Sequence, residues 1–464
     1  MRNKLFLLIL FVLSAITVFT DWSDPQIVWL YGNCYYPPVM SNSLSGDNSG
    51  NIYTVWYDLS MDFYMNITMR EHNGSSWQPY QRVDDPLNGQ GDYGLSWMPS
   101  ISVSPDGKYL IAWEDYRTGN FEIHSKFYNG VDVPSQIQLT ADSSYCWYPK
   151  LQYANGKHHL FYMSDKTGYF NIYHASFDSS WSSMESVTAQ NKDILDFHYH
   201  VTQDSTILMV YTSFIDNNIG LFAKIYDNGL WSDPQALINS QYNIFTPVVV
   251  YDGLSFYIMF KSHEEGISRI GIIKGDGFYW DNPHIISPNY CNAYYPSGFV
   301  DDSVFYAYYV TDDIPTGVIR ETKFNKNSFS IFEDNQLIKE KGGEIYYPQT
   351  CVDSDGDINL LFVCTDTIHG TYPATLFFME NVNGVKMDTD IKPYKFNLHM
   401  KSLVFSDNER YDVKIIDKTG RTIHTALNVK NSISFEKVSL KNDIYYLLIK
   451  SEKNKFTEKI LWLD

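Results

Sequence analysis

The stretch Trp97-Met98-Pro99-Ser100-Ile101-Ser102-Val103-Ser104-Pro105-Asp106-Gly107-Lys108-Tyr109-Leu110-Ile111-Ala112-Trp113-Glu114-Asp115-Tyr116-Arg117 reads as two strands around one tight turn. An aromatic-x-Pro step opens it. Ser-Pro-Asp-Gly supplies the turn, because Pro presets one backbone angle and Gly accepts a positive one. The second strand ends in a large residue, one further position, and a small oxygen-bearing side chain. The same opening step recurs at Tyr35-Tyr36-Pro37, Trp147-Tyr148-Pro149, Phe245-Thr246-Pro247, Tyr294-Tyr295-Pro296 and Tyr346-Tyr347-Pro348, with Phe197-His198-Tyr199 filling one slot without proline. Successive anchors lie 62, 50, 50, 48, 49 and 52 residues apart, which gives seven copies of one unit.

Each copy carries the closing pair: Trp56/Asp58, Trp113/Asp115, Tyr162/Ser164, Tyr211/Ser213, Phe260/Ser262, Tyr309/Thr311 and Val363/Thr365. A third strand then runs to an Asn/Asp/Gly turn such as Tyr226-Asp227-Asn228-Gly229, and a fourth often opens with Trp (Trp77, Trp181, Trp231, Trp280). Four short antiparallel strands in each repeat of this length predict an all-β fold, a seven-bladed β-propeller, with six or eight blades as the alternatives. Such a sheet must bury both faces, so the ring has to close. Trp22-Ser23-Asp24-Pro25-Gln26 repeats letter for letter as Trp231-Ser232-Asp233-Pro234-Gln235, which opens a fourth strand. The N-terminal segment is therefore expected to supply the outer strand of the last blade, although a strand near Val385 to Asp390 competes for that place.

The second copy has Pro99-Ser100-Ile101, Asp106-Gly107 and Trp113-Glu114-Asp115-Tyr116-Arg117. It resembles the Pro-x-Val, Asp-x-x-Gly and Trp-x-Asp-x-Arg pattern of sialidase-like secreted bacterial propellers. The resemblance covers about residues 22–390 and speaks to architecture, since this fold hosts unrelated functions. Active members of that family clamp a substrate carboxylate with three arginines. The propeller here holds only Arg70, Arg82, Arg117, Arg269 and Arg320, none in an aromatic-x-Pro step, which argues against sialidase activity.

The period stops near residue 391. From there on 14 Lys/Arg face 9 Asp/Glu, whereas the net charge of the whole chain is −19. Tyr411-Asp412-Val413-Lys414-Ile415-Ile416-Asp417, a turn at Lys418-Thr419-Gly420, and runs at Ile433 to Phe435, Ile444 to Ile449 and Phe456 to Leu463 predict a small antiparallel β-sandwich. Val413 to Asp417 with Gly420-Arg421, the Ile444-Tyr445-Tyr446-Leu447-Leu448-Ile449 strand and Thr457-Glu458-Lys459-Ile460 resemble the C-terminal sorting domain of type IX secretion cargo. Asp443 stands where that family has Gly. A spacer or binding module of fibronectin-like build is the alternative. At the other end Arg2 and Lys4 precede the apolar Leu5 to Leu13, as in a secretory signal peptide, and the run is short for a membrane span. The expected division is residues 1–20 signal peptide, 21–390 propeller and 391–464 sorting domain, in a protein secreted or held at the outer surface of a bacterium. The resemblance implies the secretion machinery as a partner. No transmembrane segment is expected after signal cleavage, and strong negative charge disfavours nucleic acid. Five cysteines (Cys34, Cys146, Cys291, Cys351, Cys364) leave room for one or two bridges whose pairing the sequence does not give.

In a propeller the aromatic-x-Pro steps and the loops after the second strands share one rim around the central channel. Positions that are alike in every copy serve packing, so ligand contacts are expected where copies differ. The candidates are Tyr36, Tyr148, His198, Tyr295 and Tyr347, with Glu114, Asp115, Asp165, Asp312 and Asp366. Rings beside carboxylates suit sugars, whose C–H faces stack and whose hydroxyls donate. The Asp115-type position also serves as a turn cap. No pair of carboxylates is singled out for hydrolysis, and neither a zinc spacing nor a phosphate loop is present, so no catalytic residue is assigned. Asp353, Asp355 and Asp357 alternate with a Gly as in calcium loops but lack a closing Glu. Calcium is thus the one cofactor left open, and an acidic turn is the plainer reading. The leading functional expectation is non-catalytic binding of an extracellular glycan or protein. A glycoside hydrolase or lyase on the same scaffold is the alternative, and a structural surface component a third.

Overall fold

The computed structural model describes residues 22–23, 25–29, 42–58, 65–85, 95–130, 135–239, 242–301, 303–313, 317–338, 344–353, 356–365, 374–381, 394–397, 402–405, 410–417, 421–430, 432–435, 443–450 and 455–462. Their regular structure is all β, and the chain divides into two compact units, residues 1–385 and 386–464. No helix among them is long and apolar enough to cross a membrane.

In the first unit the described residues form seven antiparallel sheets. Their first strands are Leu44–Gly46, Ser96–Val103, Cys146–Ala154, Ile194–Val201, Asn243–Tyr251, Ala293–Val300 and Ile345–Val352. Each first strand packs beside the next, and Ile345–Val352 returns to Leu44–Gly46, so the sheets close a ring around a channel. This is a β-propeller. Later strands of each copy follow outward in chain order. The core lies between sheets rather than in one centre. Tyr53, Val55 and Tyr57 of the first sheet pack on Ile101, Ile111 and Trp113 of the second. Leu361, Val363 and Phe378 of the seventh pack on Leu44, Ile52 and Trp56 of the first. Both faces of every sheet are thereby removed from water, which is what makes closure obligatory.

The repeated Trp-Ser-Asp-Pro-Gln segment explains how the ring closes. In the fourth sheet Trp231 pairs with Tyr226 and Gln235 with Ala223, while Ser232 exchanges bonds with Ile225 (N–H to carbonyl 2.8 Å, returning N–H to Oγ 3.1 Å). In the seventh, Trp22 bridges Asn381 and Gln26–Trp29 pairs with Ala374–Asn381. Ser23 makes the same reciprocal pair with Glu380, 2.8 and 2.9 Å. The Trp, Ser and Gln of the repeated segment thus perform one task, locally in the fourth sheet and across the whole ring in the seventh. Trp22 adds an edge-on contact to Tyr308 (5.9 Å between ring centres, 83°) of the sixth sheet. The competing strand near Val385 to Asp390 lies outside the described residues.

Register also corrects two alignments. In the seventh sheet Val363 pairs with Tyr346 and Cys364 with Ile345, as Glu114 pairs with Trp97 and Asp115 with Ser96 in the second. The closing pair of that copy is therefore Phe362/Cys364, one residue earlier than the sequence reading placed it. In the fourth sheet the residue opposite Thr212 is Asp196, not Phe197. Cys146, Cys291 and Cys351 carry free thiols, and Cys34 lies outside the described residues.

The second unit has one sheet of Tyr394–Asn397, Ser402–Phe405 and Ser432–Ser434 and another of Tyr411–Asp417, Thr422–Val429, Asp443–Lys450 and Lys455–Trp462. Tyr411, Val413, Ile415, Phe435 and Ile449 are buried, while Asp412 and Lys414 face solvent, the period-two pattern of a half-buried strand. Asp443 begins its strand opposite Trp462, and the 418–420 turn lies outside the described residues.

If the N-terminal strand carries closure, Trp22→Ala should lower the unfolding free energy by about 2–3 kcal/mol, in line with truncation of a large packed aromatic. Ser23→Ala should remove about 1 kcal/mol. Urea titration followed by tryptophan fluorescence measures both, and an unshifted midpoint in both variants would remove the latch from the account.

Candidate functional site

The aromatic-x-Pro step proves to be a β-bulge. Between Trp97 and Ser100, Trp147 and Lys150, Phe245 and Val248, Tyr294 and Ser297, and Tyr346 and Gln349 the register slips by one residue. The middle residue of each step is left-handed: Met98, Tyr148, Thr246, Tyr295 and Tyr347 have φ between 44° and 55°. Proline has no N–H to give the ladder, so the break falls there. Side chains other than Gly adopt this conformation at a cost, and such residues gather at functional sites. In this chain the bulge turns Tyr148, Tyr295 and Tyr347 onto the wall of the channel.

The fourth copy lacks the proline, and its bulge comes earlier, between Ile194 and Asp196. Asp196 thereby occupies the position that Trp97, Trp147, Phe245, Tyr294 and Tyr346 hold in other sheets. A carboxylate enters the channel where its neighbours have rings.

The first strands expose an unpaired edge to the channel, and neighbouring sheets satisfy it. Ser100 Oγ accepts from Leu151 N–H (2.9 Å), Gln152 Oε1 from Val201 N–H (2.9 Å), His198 Nδ1 from Val249 N–H (3.2 Å), and Gln349 Oε1 from Ser43 N–H (2.9 Å). These side chains form a belt that fastens one sheet to the next and removes them from the pool of free ligand contacts.

Inside the belt lies a cavity of about 820 Å³, lined by all seven sheets. Its polar walls include Tyr148, Lys150, Asp196, His198, Lys261, Tyr295 and Tyr347. Tyr295 and Tyr347 meet at 4.1 Å between ring centres with their hydroxyls hydrogen-bonded, and burial pushes both phenols up. Lys150 Nζ lies 3.4 Å from Asp196 and bonds the Phe197 carbonyl. Lys261 Nζ lies 4.7 Å from the Phe245 ring centre and 5.8 Å from that of Tyr294. Burial lowers the Lys261 ammonium and Asp196 opposes that shift. Burial, then Lys150 and His200, holds His198 down to about 3, so its imidazole is neutral and accepts at Nδ1. Asp196 is the one carboxylate on the wall among the described residues, beside two ammonium groups.

The structure thus brings Tyr148, His198, Tyr295 and Tyr347 together and engages the acidic candidates elsewhere. Asp115 accepts from Ser96 Oγ (3.0 Å), Trp113 Nε1 (3.2 Å) and Arg117 Nε (2.7 Å). Asp165 and Asp312 hold equivalent places, receiving the N–H of Tyr145 (2.8 Å) and Asn292 (2.7 Å) just before the first strands. Glu114 is buried and accepts the N–H of the bulged Tyr148 at 2.7 Å. Asp353 Oδ1 accepts from Asp357 N–H (2.9 Å) inside a hairpin. Tyr36, Asp355 and Asp366 lie outside the described residues. Lys150, Asp196 and Lys261 went unread in the sequence. The places of Lys150, just after a proline step, and of Lys261, in the middle of the Phe260/Ser262 pair, were legible in the repeat; that they face the channel was not, and the early slip hid Asp196. Arg82, Arg117 and Arg320 are spent on Asp84, Asp115 and the Asp313/Asp334 pair, and none lines the cavity.

No family model matches the sequence, and no curated protein is significantly similar to it. Solved structures do resemble it. A polysaccharide lyase of family PL25, an ulvan lyase bound to -[GlcA(1-4)Rha3S]-, aligns over 75% of this chain and 94% of its own with a TM-score of 0.56 and 10% identity. The polysaccharide lyase Uly1 aligns over 76% and 91%, with a TM-score of 0.51 and 11% identity. At such identity these likenesses establish the propeller fold and nothing finer.

Glu114 yields a test of the bulge. Burial raises its carboxyl from 4.5 to about 8, against the smaller lowering by the Tyr148 N–H. The folded chain keeps this proton within that window and the unfolded chain loses it, so stability should fall as pH rises through the window and level off above it. Glu114→Gln keeps an acceptor and removes the titration. The variant should match wild type near pH 4 and exceed it near pH 8, by on the order of 1 kcal/mol for each unit crossed. Parallel curves for the two proteins across that range would refute the assignment.

Proposed function

We propose that this chain is an exported bacterial protein whose propeller binds an acidic extracellular glycan at the channel, without turning it over. The observation that carries this reading is the wall itself: three tyrosines turned inward by left-handed bulges, opposite two lysines that share one aspartate. Tyrosine rings offer flat faces to sugar C–H groups and hydroxyls to their oxygens. Two ammonium groups against one carboxylate leave a net positive wall, which fits a uronate or sulfate substituent. The binding belongs to the positions at which the seven copies differ, as a ligand without sevenfold symmetry requires.

A polysaccharide lyase on the same cavity is the second reading. One observation favours it over hydrolysis: the described wall holds a single carboxylate, whereas a glycosidase needs two. Phenols and ammonium groups are the chemistry that proton abstraction beside a neutralised carboxylate would use. Burial raises the phenols, so still less of them is ionised to the basic phenolate at neutral pH, which places binding ahead of elimination.

The export half of the proposal rests on residues 1–20 and 391–464, read as signal peptide and sorting domain. A reporter joined between these two segments should reach the surface or medium of a bacterium with a type IX apparatus and stay inside one without it. Equal release from both would remove the sorting role.

For the ligand, an array of neutral and acidic glycans is the measurement. Acidic glycans should bind and their neutral counterparts should not. Tyr347→Ala and Lys261→Ala should each weaken binding by about tenfold or more, the usual yield of one lost stacking or charged contact. Ultraviolet-absorbing unsaturated product from a bound glycan would replace the binding reading with the lyase reading. Binding that survives both substitutions would move the site off the channel.

A further inference from the structure

The hairpin of the seventh sheet carries a group that the glycan reading does not use. Single carboxylate oxygens of Asp353, Asp357 and Glu380 all lie within 4.8 Å of one another. The first sheet has the same hairpin with different chemistry, and the comparison is informative. There Asp47 Oδ1 accepts from Ser49 N–H (2.8 Å) and Asn51 N–H (2.9 Å), and its Oδ2 accepts from Asn51 Nδ2 (2.8 Å) and the Tyr53 hydroxyl (3.3 Å). Register makes Asp353 equivalent to Asp47, Asp357 to Asn51, Asn359 to Tyr53 and Glu380 to Glu71, because Tyr53 pairs with Glu71 and Asn359 with Glu380. In the seventh sheet the side chain that donates as Asn51 has become a third carboxylate.

A second observation points the same way. Asn359 is buried, 1% exposed, and its Oδ1 has no hydrogen-bond partner. Its Nδ2 reaches Asp353 Oδ2 at 3.2 Å, and it stands directly across from Glu380 on one face of the sheet, where side chains lie about 5 Å apart. The Asn359 amide is thus tied through Nδ2 to Asp353 Oδ2 and to the Asp357 carbonyl (3.3 Å), it pairs with Glu380, and its own oxygen is left without a donor. A buried amide oxygen left unpaired is costly, and among carboxylates only a cation or a water donor relieves it.

We propose that Asp353, Asp357 and Glu380, with the Asn359 amide oxygen, form a calcium site that ties this hairpin to the ring closure. All four donors are oxygens, three of them charged, which selects a hard divalent cation. They come from separate segments and stand half open to solvent, so waters complete the shell, and calcium, which tolerates flexible coordination, is preferred to magnesium. The consequence for the fold is direct. Glu380 is the residue whose backbone exchanges hydrogen bonds with Ser23 of the N-terminal strand, at 2.8 and 2.9 Å. Fixing its side chain to the Asp353–Asp357 hairpin steadies the strand on which the ring latches. Asp355 lies outside the described residues and is not needed for the site.

The experiment is thermal unfolding of the chelator-treated full chain with and without calcium. Calcium at a hundredfold excess over its dissociation constant should raise the midpoint by roughly 3 °C, reversibly on adding chelator, with a smaller response to magnesium. Asp357→Asn and Glu380→Gln should each abolish the calcium response, whereas Glu71→Gln in the first sheet should leave it intact. Terbium bound to wild type should luminesce on tryptophan excitation, since Trp22 bridges Asn381, the residue next to Glu380, and calcium should displace it. This measurement holds even if a variant does not fold. An unshifted midpoint and dark terbium in wild type, or a full calcium response in folded Glu380→Gln, would overturn the proposal.

Discussion

The inner edge of each sheet is the constraint on which this molecule depends. A propeller blade ends at the channel in a strand with one row of backbone groups unpaired, and buried N–H groups left so are destabilising by kilocalories each. A flat sheet can pass that edge to solvent. Seven sheets crowded around one channel cannot, so side chains of one sheet must reach the edge of the next. Ser100, Gln152 and His198 do this for groups 51, 49 and 51 residues away in sequence, and Gln349 does it across the ring closure, 306 residues from Ser43. The requirement explains why the channel is polar without being a row of free ligands. It also separates the roles: a side chain that holds a neighbouring edge is occupied, and the chemistry left for a guest comes from what the bulges add.

Those bulges are where sevenfold repetition becomes particular. The Pro in five described copies forces a slip and a left-handed residue, and the identity of that residue varies: Met98, Tyr148, Thr246, Tyr295, Tyr347. The scaffold fixes where the side chain goes and leaves open what it is. In the fourth copy the slip comes early, and one displaced residue puts Asp196 on the wall that Lys150 and Lys261 also line, paired with Lys150. A single-residue shift has this effect because strand side chains alternate faces, so every position beyond the slip changes sides.

That same alternation marks the limit of what could be read beforehand. The fifty-residue period, the four-strand copy and the reuse of Trp-Ser-Asp-Pro-Gln at the N-terminus were legible, since each rests on local residue type and spacing. Tyr148, Tyr295 and Tyr347 were legible as well, because they vary at a fixed place in the repeat. Asp196 was not, because Phe197 looks like an anchor until register shows it opposite Tyr211. Lys261 sits in a position filled elsewhere by Glu114, Met163 or Val363, and its composition gives no sign of facing a cavity. The acidic candidates failed to converge for another reason. A short carboxylate can serve a ligand or a backbone N–H, and Asp165 and Asp312 each find theirs twenty residues away in sequence, on a segment brought near only by folding.

A chain of net charge −19 is an unexpected host for an acidic guest, yet the total has little authority over the channel. Surface carboxylates are screened beyond about 8 Å at physiological ionic strength. Many of the inner ones are neutralised where they stand: Asp84 by Arg82, Asp115 by Arg117, Asp313 and Asp334 by Arg320. Glu114 is uncharged below about pH 8 through burial. What a guest in the cavity meets is the short-range set, two ammonium groups and one carboxylate among phenols, in surroundings where water is partly excluded and each charge counts for more. The sign of the wall is set by three residues lining one cavity, while the opposite sign of the whole favours solubility and repels nonspecific polyanions.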